Sequence, residues 1–219
     1  MDTKIQFQKN AAVFTANGHQ LGSLQRVVVN PVDKGIRGIV VRTGSLLSPE
    51  EKVIPIDLIA ETTEEKVFLH SHPDTPESFE PFEEKRLIEP NENSYHHTEV
   101  EDMPLIIVGK PDVGMTIFPA AHEERFVTSI EQNIPAGTVA VKEGANIITA
   151  DGRYAGSMES VFADPAAIQI THLLLSNGLI AREKKVVPIH WVVTMDEDEI
   201  HLRVEKSSIE ELSDISISE

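Results

Sequence analysis

The side chains of this sequence that are best suited to chemistry are two pairs of histidines. His70 and His72 are two residues apart, a spacing that puts both on one face of a strand. His96 and His97 are adjacent. Carboxylates occur in the same stretch, namely Asp74, Glu99 and Glu101. Because imidazole and carboxylate groups bind zinc and similar metals, these residues form a candidate metal- or pH-responsive site.

A simpler interpretation is that these histidines are solvated loop residues, and we favour it. We therefore predict no metal site and no cofactor, with His70, His72, His96 and His97 as weak candidate ligands. Stoichiometric retention of Zn or Ni that is lost in the variant His96→Ala/His97→Ala would instead support the metal-responsive alternative.

No pattern of a catalytic site accompanies the histidines. The motif Gly18-x-x-x-Gly22 lacks the Lys-Ser/Thr pair of a phosphate-binding loop. No serine lies in a nucleophile elbow, and because the chain has no cysteine it has neither a thiol nucleophile nor a disulfide. We predict that the protein is not an enzyme, with an enzyme whose site lies between its two halves as an alternative.

The elements that must position any site come from one stretch that occurs twice. Residues 5–44 align with residues 139–178 at a constant offset of 134 and without a gap. Glycines and prolines coincide in this frame, at positions 18 and 152, 22 and 156, 31 and 165, and 44 and 178. A shared frame of residues with special backbone geometry indicates an internal repeat.

Each copy predicts about six short strands. The pairs Asn17-Gly18 and Asp151-Gly152 indicate hairpins with type I′ turns, and Gly22 indicates a tight bend in the strand that follows. His172 lies in an apolar strand of the second copy and Trp191 takes the place of Leu58, so we predict core packing for both. Short strands joined by turns predict a small barrel or sandwich in each copy.

The sequence between the copies has a different composition. We predict an all-β protein with a first barrel domain (residues 1–72), an acidic Pro/Glu-rich linker (73–132), a second barrel domain (133–206) and an acidic tail (207–219). Within the linker we expect short strands at Leu105–Val108 and Met115–Phe118 and a short helix in Ala120–Gln132. Near the C-terminus, Ser208 and Glu211 have the spacing of a capping box ahead of a brief helix.

The charge of the chain narrows the class of partner. The net charge is −17. The excess lies in two segments, residues 61–102 with 13 acids and 3 bases, and residues 195–219 with 9 acids and 2 bases. This acidity excludes direct binding to a nucleic-acid backbone, which needs clustered Lys and Arg. No apolar run is long enough to span a bilayer and no signal peptide is evident, so we predict a cytoplasmic protein without membrane insertion.

The frame of the repeat resembles the PRC-barrel domain. The shared features are a hairpin at Asn-Gly or Asp-Gly, a glycine three or four residues later, a long strand, an Asx-Pro or similar break, an Ile-rich strand and a Val-Ile-Pro segment such as Val53-Ile54-Pro55. The resemblance covers roughly residues 5–70 and 139–204 and implies a six-stranded antiparallel β-barrel in each. The family includes domains of the photosynthetic reaction-centre H subunit and of a ribosome maturation factor. The H subunit's membrane helix and the maturation factor's N-terminal domain have no counterpart here.

Well-known members of that family use the barrel to dock other proteins, so the resemblance implies an adaptor rather than a catalyst. We therefore expect a non-enzymatic module that docks a protein partner. The duplication also suggests that the two copies pack as a pseudo-twofold pair, in imitation of a dimer of single-barrel relatives, or that the chain forms a homodimer.

Overall fold

The fold is taken from a computed structural model of the 219-residue chain. The structure describes residues 5–8, 10–45, 48–63, 65–70, 76–88, 105–108, 116–119, 127–177 and 183–213. Packing divides the chain into two compact units, one made of residues 1–83 and 132–219, the other of residues 84–131.

The described residues of the first half form seven strands. They are β1 (Ile5–Gln8), β2 (Ala12–Phe14), β3 (Gln20–Val29), β4 (Ile36–Ser45), β5 (Ser48–Pro55), β6 (Ile59–Thr62) and β7 (Lys66–Leu69). Pro55 ends β5, and the 3₁₀ turn Ile56–Leu58 leads into β6. A proline fits this place because it has no N–H to donate to a neighbouring strand.

The segment between the halves contains more regular structure than its composition predicts. Where the structure describes this segment, a 3₁₀ turn (Pro76–Ser78) is followed by four strands, β8 (Glu83–Ile88), β9 (Leu105–Val108), β10 (Thr116–Pro119) and β11 (Val127–Gln132). β8 pairs with β11, and β9 pairs antiparallel with β10. The two short strands predicted in this segment are confirmed. The helix predicted for Ala120–Gln132 is wrong over its described part, where β-branched Val127, Thr128 and Ile130 favour the strand that pairs with β8.

The second half repeats the order of the first. Its strands are β12 (Val139–Lys142), β13 (Asn146–Ile148), β14 (Tyr154–Asp164), β15 (Gln169–Asn177), β16 (Glu183–Pro188), β17 (Val192–Met195) and β18 (Glu199–Leu202). A 3₁₀ turn (Ile189–Trp191) again follows a proline, and helix α1 (Lys206–Glu210) follows β18. The predicted short C-terminal helix is therefore confirmed. It begins before Ser208 and ends at Glu210, so the predicted capping box of Ser208 and Glu211 does not lie at its start.

Each half contributes one strand to the sheet of the other. The first sheet has the order β5-β4-β3-β2-β7-β6, and β12 of the second half pairs with β3. The second sheet has the order β16-β15-β14-β13-β18-β17, and β1 of the first half pairs with β14. The registers are equivalent, since Val139 lies opposite Val29 and Ile5 lies opposite Ala163. The two halves therefore exchange their first strands reciprocally.

The strand pairings do not close either sheet. Among the described residues, β5 and β6 end the first sheet and β16 and β17 end the second. The all-β class predicted from the sequence is confirmed, whereas a closed six-stranded barrel is not seen in these pairings. Six strands of each sheet come from one half and the seventh comes from the other.

The loop between β3 and β4 of the first half contacts the loop between β14 and β15 of the second half. The backbone N–H of Ile36 donates to the carbonyl oxygen of Ile168, and the N–H of Ile170 donates to that of Lys34, each over 2.9 Å. Lys34 and Ile168 occupy equivalent positions and both have left-handed backbones, with φ of 59° and 52°. A β-branched residue rarely adopts this conformation, so the contact between the loops holds Ile168 in a strained state.

The described residues of the larger unit share one main hydrophobic core. Buried side chains from both halves belong to one cluster, among them Phe7, Leu24, Ile39, Ile147 and Leu173. Phe7 of β1 is fully buried, and its strand pairs with the second half. The halves consequently fold around a common core rather than around two separate ones.

The hairpin turns at Gly18 and Gly152 differ in type from the turns predicted from the sequence. Gly18 and Gly152 have φ of 80° and 74°, but Asn17 and Asp151 are not in the left-handed region. The N–H of Gly18 donates to Thr15 and the N–H of Thr15 donates to His19. This pattern is typical of a three-residue hairpin loop with glycine in its last position, rather than a type I′ turn.

The predicted bend at Gly22 is a place of close backbone approach. A Cβ atom there would lie 2.0 Å from the carbonyl oxygen of Arg42, and a Cβ on Gly156 would lie 2.5 Å from that of Ser176. The strand pairing shifts register immediately beside both glycines. Only glycine allows the neighbouring strands to meet at this distance.

In the described part of the chain, no helix is long and apolar enough to cross a membrane.

Candidate functional site

Of the four histidines predicted as weak metal ligands, only His70 lies within the described residues. His70 is exposed, and its Nε2 lies 2.6 Å from the backbone oxygen of Asp57. His72, His96, His97 and Asp74 lie outside the described residues. Over the ranges that the structure describes, no group of three or more His, Asp or Glu side chains is arranged to hold a metal ion. Metal binding by these histidines stays a prediction.

Trp191 and His172, for which the sequence predicts core packing, are both half-buried in the fold. Trp191 is half-buried and packs against the main core, in agreement with its prediction, and its ring meets that of His190 edge-on at 6.3 Å. His172 lies on β15, half-buried, opposite Phe162 on one side and Pro188 on the other.

The edge of the first sheet is covered by the chain itself. The segment Glu80–Phe82 runs along the free side of β5, where the N–H of Val53 donates to the carbonyl oxygen of Glu80 over 2.9 Å. The N–H of Phe82 donates to the carbonyl oxygen of Glu51 over 2.8 Å. Asn133 holds the same segment from its other side through bonds to Phe82 and to Pro81. We call Glu80–Phe82 the cover segment.

The cover segment also seals the outer face of the sheet. Val28 and Val40 point away from the main core, and together with Phe82 and Ala140 they form a second, smaller buried cluster. Val53 and Ile134 pack against this cluster and are half-buried. Both ends of the segment between the halves, at Phe82 and Ile134, are therefore fastened to the first half by apolar contact as well as by hydrogen bonds.

A groove opens beside the cover segment. It encloses about 450 Å³, and its apolar wall is formed by Val28, Val53, Pro55, Ile134 and Pro135. We call it the β5 groove. Pro55 and Pro135 are exposed at its rim, so the apolar wall reaches the surface.

The rim of the β5 groove carries charges of both signs. Arg37 and Glu80 line it, and Gln132 and Asn133 add amide groups. Arg37 is held by an ion pair with Asp33. A backbone hydrogen bond from Gly35 lowers the pKa of Asp33 against a partial desolvation, and the charge of Arg37 lowers it further. An apolar wall with a polar rim is the usual composition of a protein-binding surface.

A network of charged side chains lies next to the groove and ties the halves together. Arg26 of β3 has only a tenth of its side chain exposed and binds Glu51 at 3.3 Å as well as Glu197. Lys142 of β12 lies directly opposite Arg26 and binds Glu197 at 3.1 Å and Asp198 at 2.9 Å. Glu197 thus lies between two cations that belong to different halves. The guanidinium of Arg26 also lies over the ring of Phe82, 4.8 Å from its centre.

The network displaces the pKa of two of its members. Desolvation opposes the ionisation of Glu197, but the hydrogen bond from Lys142 and the charge of Arg26 outweigh it, so that the pKa of this carboxyl lies below its usual value. Hydrogen bonds to Asp198 and to Glu197 raise the pKa of Lys142. Both groups are therefore held in their charged forms.

The β5 groove offers several kinds of contact to a ligand. Its lining groups provide apolar contact, one guanidinium, one carboxylate and two amides. This combination fits a segment with an apolar side chain and polar flanks.

Sequence reasoning did not find this groove. Ile134 and Pro135 fall at the start of the predicted second barrel domain (133–206), and Glu80 falls in the predicted linker (73–132). A signal was available in the sequence, because Arg26 and Val28 alternate with core residues along β3, as Val40 does along β4. This alternation indicates that the outer face of the sheet is partly apolar and must be covered.

Comparison of the sequence with models of known protein families finds no match, and comparison with curated proteins finds none either.

Proposed function

We propose that this chain is a non-enzymatic protein-interaction module that binds a segment of a partner protein in the β5 groove. The observation that carries the proposal is the groove itself, an apolar opening of about 450 Å³ with Arg37 and Glu80 at its rim. Its volume lies within the range of roughly 300–1,000 Å³ that is usual for ligand pockets. It would accept one large or two small apolar side chains.

The construction of the scaffold supports this proposal. The wall of the groove combines a strand edge with two segments, Glu80–Phe82 and Gln132–Pro135, that are hydrogen-bonded to each other. Glu80–Phe82 is also hydrogen-bonded to β5. The ion network at Arg26 anchors the same face to the second half. A preformed groove loses little conformational entropy when a ligand enters it, which favours binding.

We further propose that the scaffold is a duplicated PRC-barrel-like unit. The support lies in the identical strand order of the two sheets, in the equivalent close approaches at Gly22 and Gly156, and in the 3₁₀ turns that follow Pro55 and Pro188. In this view the reciprocal exchange of β1 and β12 makes one chain equivalent to a dimer of single-barrel proteins. Docking of other proteins is then the function that the resemblance implies.

The proposal is tested with surface variants of the full chain. Pro55→Glu combined with Pro135→Glu places two carboxylates at the exposed rim of the groove. Val32→Glu is the matched control, because Val32 is an apolar residue with 89% exposure that does not line the groove. Each protein is used as bait in lysate of the native organism, and the partners are quantified by mass spectrometry.

The expected result is a partner that the unaltered chain and Val32→Glu retain equally and that the double variant loses by at least about tenfold, which corresponds to about 1.4 kcal/mol. The affinities are then measured with the purified partner. A partner that binds the double variant as tightly as the unaltered chain would contradict the groove as the binding surface.

A further inference from the structure

Two small residues that line the β5 groove are replaced by larger ones in the second half. Val28 and Gly38 lie opposite each other on β3 and β4, and both line the groove. The equivalent residues of the second half are Phe162 and His172, which lie opposite each other on β14 and β15. The same strand order is therefore compatible with larger side chains at both positions. The small pair that borders the groove is a feature of the first half.

The charges at the rim of the β5 groove do not balance. The guanidinium of Arg37 is paired with Asp33, so its charge is neutralised within the chain. Glu80 is exposed, and no cation pairs with its carboxylate among the described residues. The other polar residues that line the groove, Gln132 and Asn133, are uncharged amides. The rim therefore presents one negative charge that has no partner in the described part of the chain.

A second groove adjoins the cover segment and is also acidic. It encloses about 530 Å³, and two residues of the cover segment lie in its wall. Three carboxylates and one ammonium group line it, those of Glu50, Glu51, Glu83 and Lys52. Lys52 pairs with Glu50 and Arg26 pairs with Glu51, whereas Glu83 is exposed and has no cation partner among the described residues. The surface around the cover segment therefore has an excess of negative charge.

This excess decides which segment fits the β5 groove. A ligand that fills the apolar wall removes water from the rim, and a carboxylate that loses water is destabilised unless a cation pairs with it. A Lys or Arg beside the apolar residue of the ligand would supply that cation to Glu80. An Asp or Glu at the same place would meet a like charge, which is the usual way in which an interface rejects a wrong partner.

We propose that the β5 groove binds a basic segment of a partner protein, in which a large apolar side chain enters the groove and an adjacent Lys or Arg pairs with Glu80. This inference rests on the proposed function of the groove and names the chemistry of its ligand. The apolar contact supplies most of the affinity, and the charges select the segment and speed its association. Glu83 attracts further positive charges that flank the apolar residue.

The test uses three blocked peptides and the full chain. The first peptide is Gly-Lys-Phe-Lys-Gly, and the two controls replace its phenylalanine with alanine or both of its lysines with glutamate. Each peptide is titrated to millimolar concentration at low salt, and NMR follows the methyl groups of Val53 and Ile134, which line the groove. The alanine peptide measures the general attraction of a cationic peptide to a chain with a net charge of −17.

Two variants of the chain accompany the peptides. Glu80→Gln removes the charge at the rim and leaves the backbone hydrogen bond from Val53 to residue 80 in place. Glu61→Gln is the matched control, because Glu61 is exposed on β6, at the opposite end of the same sheet from β5.

We expect the peptide with lysine and phenylalanine to shift the signals of Val53 and Ile134 and to bind at least about tenfold more tightly than either control peptide. Glu80→Gln should weaken this binding about threefold, as expected for the loss of one exposed ion pair. Glu61→Gln should leave it unchanged.

Two results would overturn the inference. One is the absence of any shift at Val53 and Ile134 with the lysine peptide at millimolar concentration. The other is equal binding of the lysine and glutamate peptides in the groove, which would leave the groove as a binding surface without selection by charge.

A pair of rim variants separates this inference from the proposed function. Pro55→Lys with Pro135→Lys and Pro55→Glu with Pro135→Glu both remove the apolar rim, but they add opposite charges. The partner retained from lysate should be weakened by both, and more by the lysine pair, because lysines repel a basic segment. A partner that is weakened equally by the two pairs, or more by the glutamate pair, would overturn the inference alone. A partner that neither pair weakens would contradict the proposed function itself.

Discussion

Replacement of Glu197 by Gln tests the network that joins the halves. Glu197 lies in the turn between β17 and β18 and contacts Arg26, Lys142 at 3.1 Å and Gln132 at 3.4 Å. Glutamine keeps the shape of the side chain and removes its charge. Arg26 and Lys142, which are directly opposite each other on paired strands, would then lose the carboxylate between them.

The size of the expected loss in stability follows from the exposure of the side chains in this ion network. An exposed ion pair contributes about 0.2–1 kcal/mol, whereas breaking a buried one costs about 3–5 kcal/mol. The side chain of Arg26 is 10% exposed, and those of Glu197 and Lys142 are 33% and 40% exposed. Glu51 and Asp198 still neutralise part of the charge in the variant. We therefore expect a loss of about 1.5–2.5 kcal/mol in the free energy of unfolding at pH 7.

The loss of stability in the Glu197→Gln variant depends on pH in a defined way. Because the pKa of Glu197 in the folded chain lies below its ordinary value of 4.5, its stabilisation is complete above that value and disappears as the pH falls through the folded pKa. Because the pKa of Lys142 is raised above 10.5, its stabilisation is complete below that value and is lost as the pH rises through the folded pKa. The difference between the two proteins should therefore be constant near neutrality and should shrink in acid.

Urea unfolding followed by fluorescence of the single tryptophan measures this difference at several pH values. Glu50→Gln is the matched control, since Glu50 is 62% exposed and pairs only with Lys52, at 3.1 Å, among the ion pairs of the described residues. The control should cost no more than about 0.5 kcal/mol. Equal losses in the two variants, or a loss at Glu197 that persists in acid, would refute the reasoning.

Three further predictions concern packing and binding. Gly22→Ala should destabilise the chain by more than about 3 kcal/mol, because the added Cβ would overlap the carbonyl oxygen of Arg42. Gly18→Ala should cost only the roughly 1–2 kcal/mol of placing alanine in a left-handed backbone, and thermal unfolding compares the two variants. Lys185→Met should remove the bonds from Nζ to the carbonyl oxygens of Glu210 and Leu212 and so increase the hydrogen exchange of helix α1. Added salt should weaken the complex with the partner if the acidic segments take part in it, and unchanged affinity between low and high salt would exclude them.

A deletion of residues 73–102 would not be a neutral way to test the role of the predicted linker. It removes Glu80–Phe82, which pair with β5, and Phe82, which is fully buried on the outer face. The variant would expose Val28 and Val40 and leave the edge of β5 unpaired, and such surfaces promote aggregation. Point substitutions at the rim of the groove leave these contacts in place.

The strands could be predicted from the sequence because their boundaries coincide with residues of special geometry. Gly18, Gly22 and Pro55 recur in the second copy as Gly152, Gly156 and Pro188, and each has the same structural role in both. The packing of Trp191 against the core followed from its place in the repeat. These features depend on local backbone geometry and on the alternation of apolar residues, both of which a sequence displays.

The exchange of β1 and β12 could not be predicted in the same way. Because the two copies share one frame, β1 matches the edge of β3 as well as that of β14, and the pattern of residues is the same for either choice. The ion pair between Arg26 and Glu197 joins residues 171 positions apart and has no local signal. Strand β8 carries Glu-Glu-Lys-Arg, a composition unfavourable for strands, and forms because it pairs with β11.

The most direct test of the proposed function is site-specific photo-crosslinking from the rim of the β5 groove. A photoreactive amino acid is placed at position 135 in one protein and at position 32 in another, both of which are exposed. Our account predicts that the same partner protein is cross-linked from position 135 and not from position 32. A partner that is cross-linked from position 32 alone, or no adduct from position 135 while the complex is intact, would contradict it.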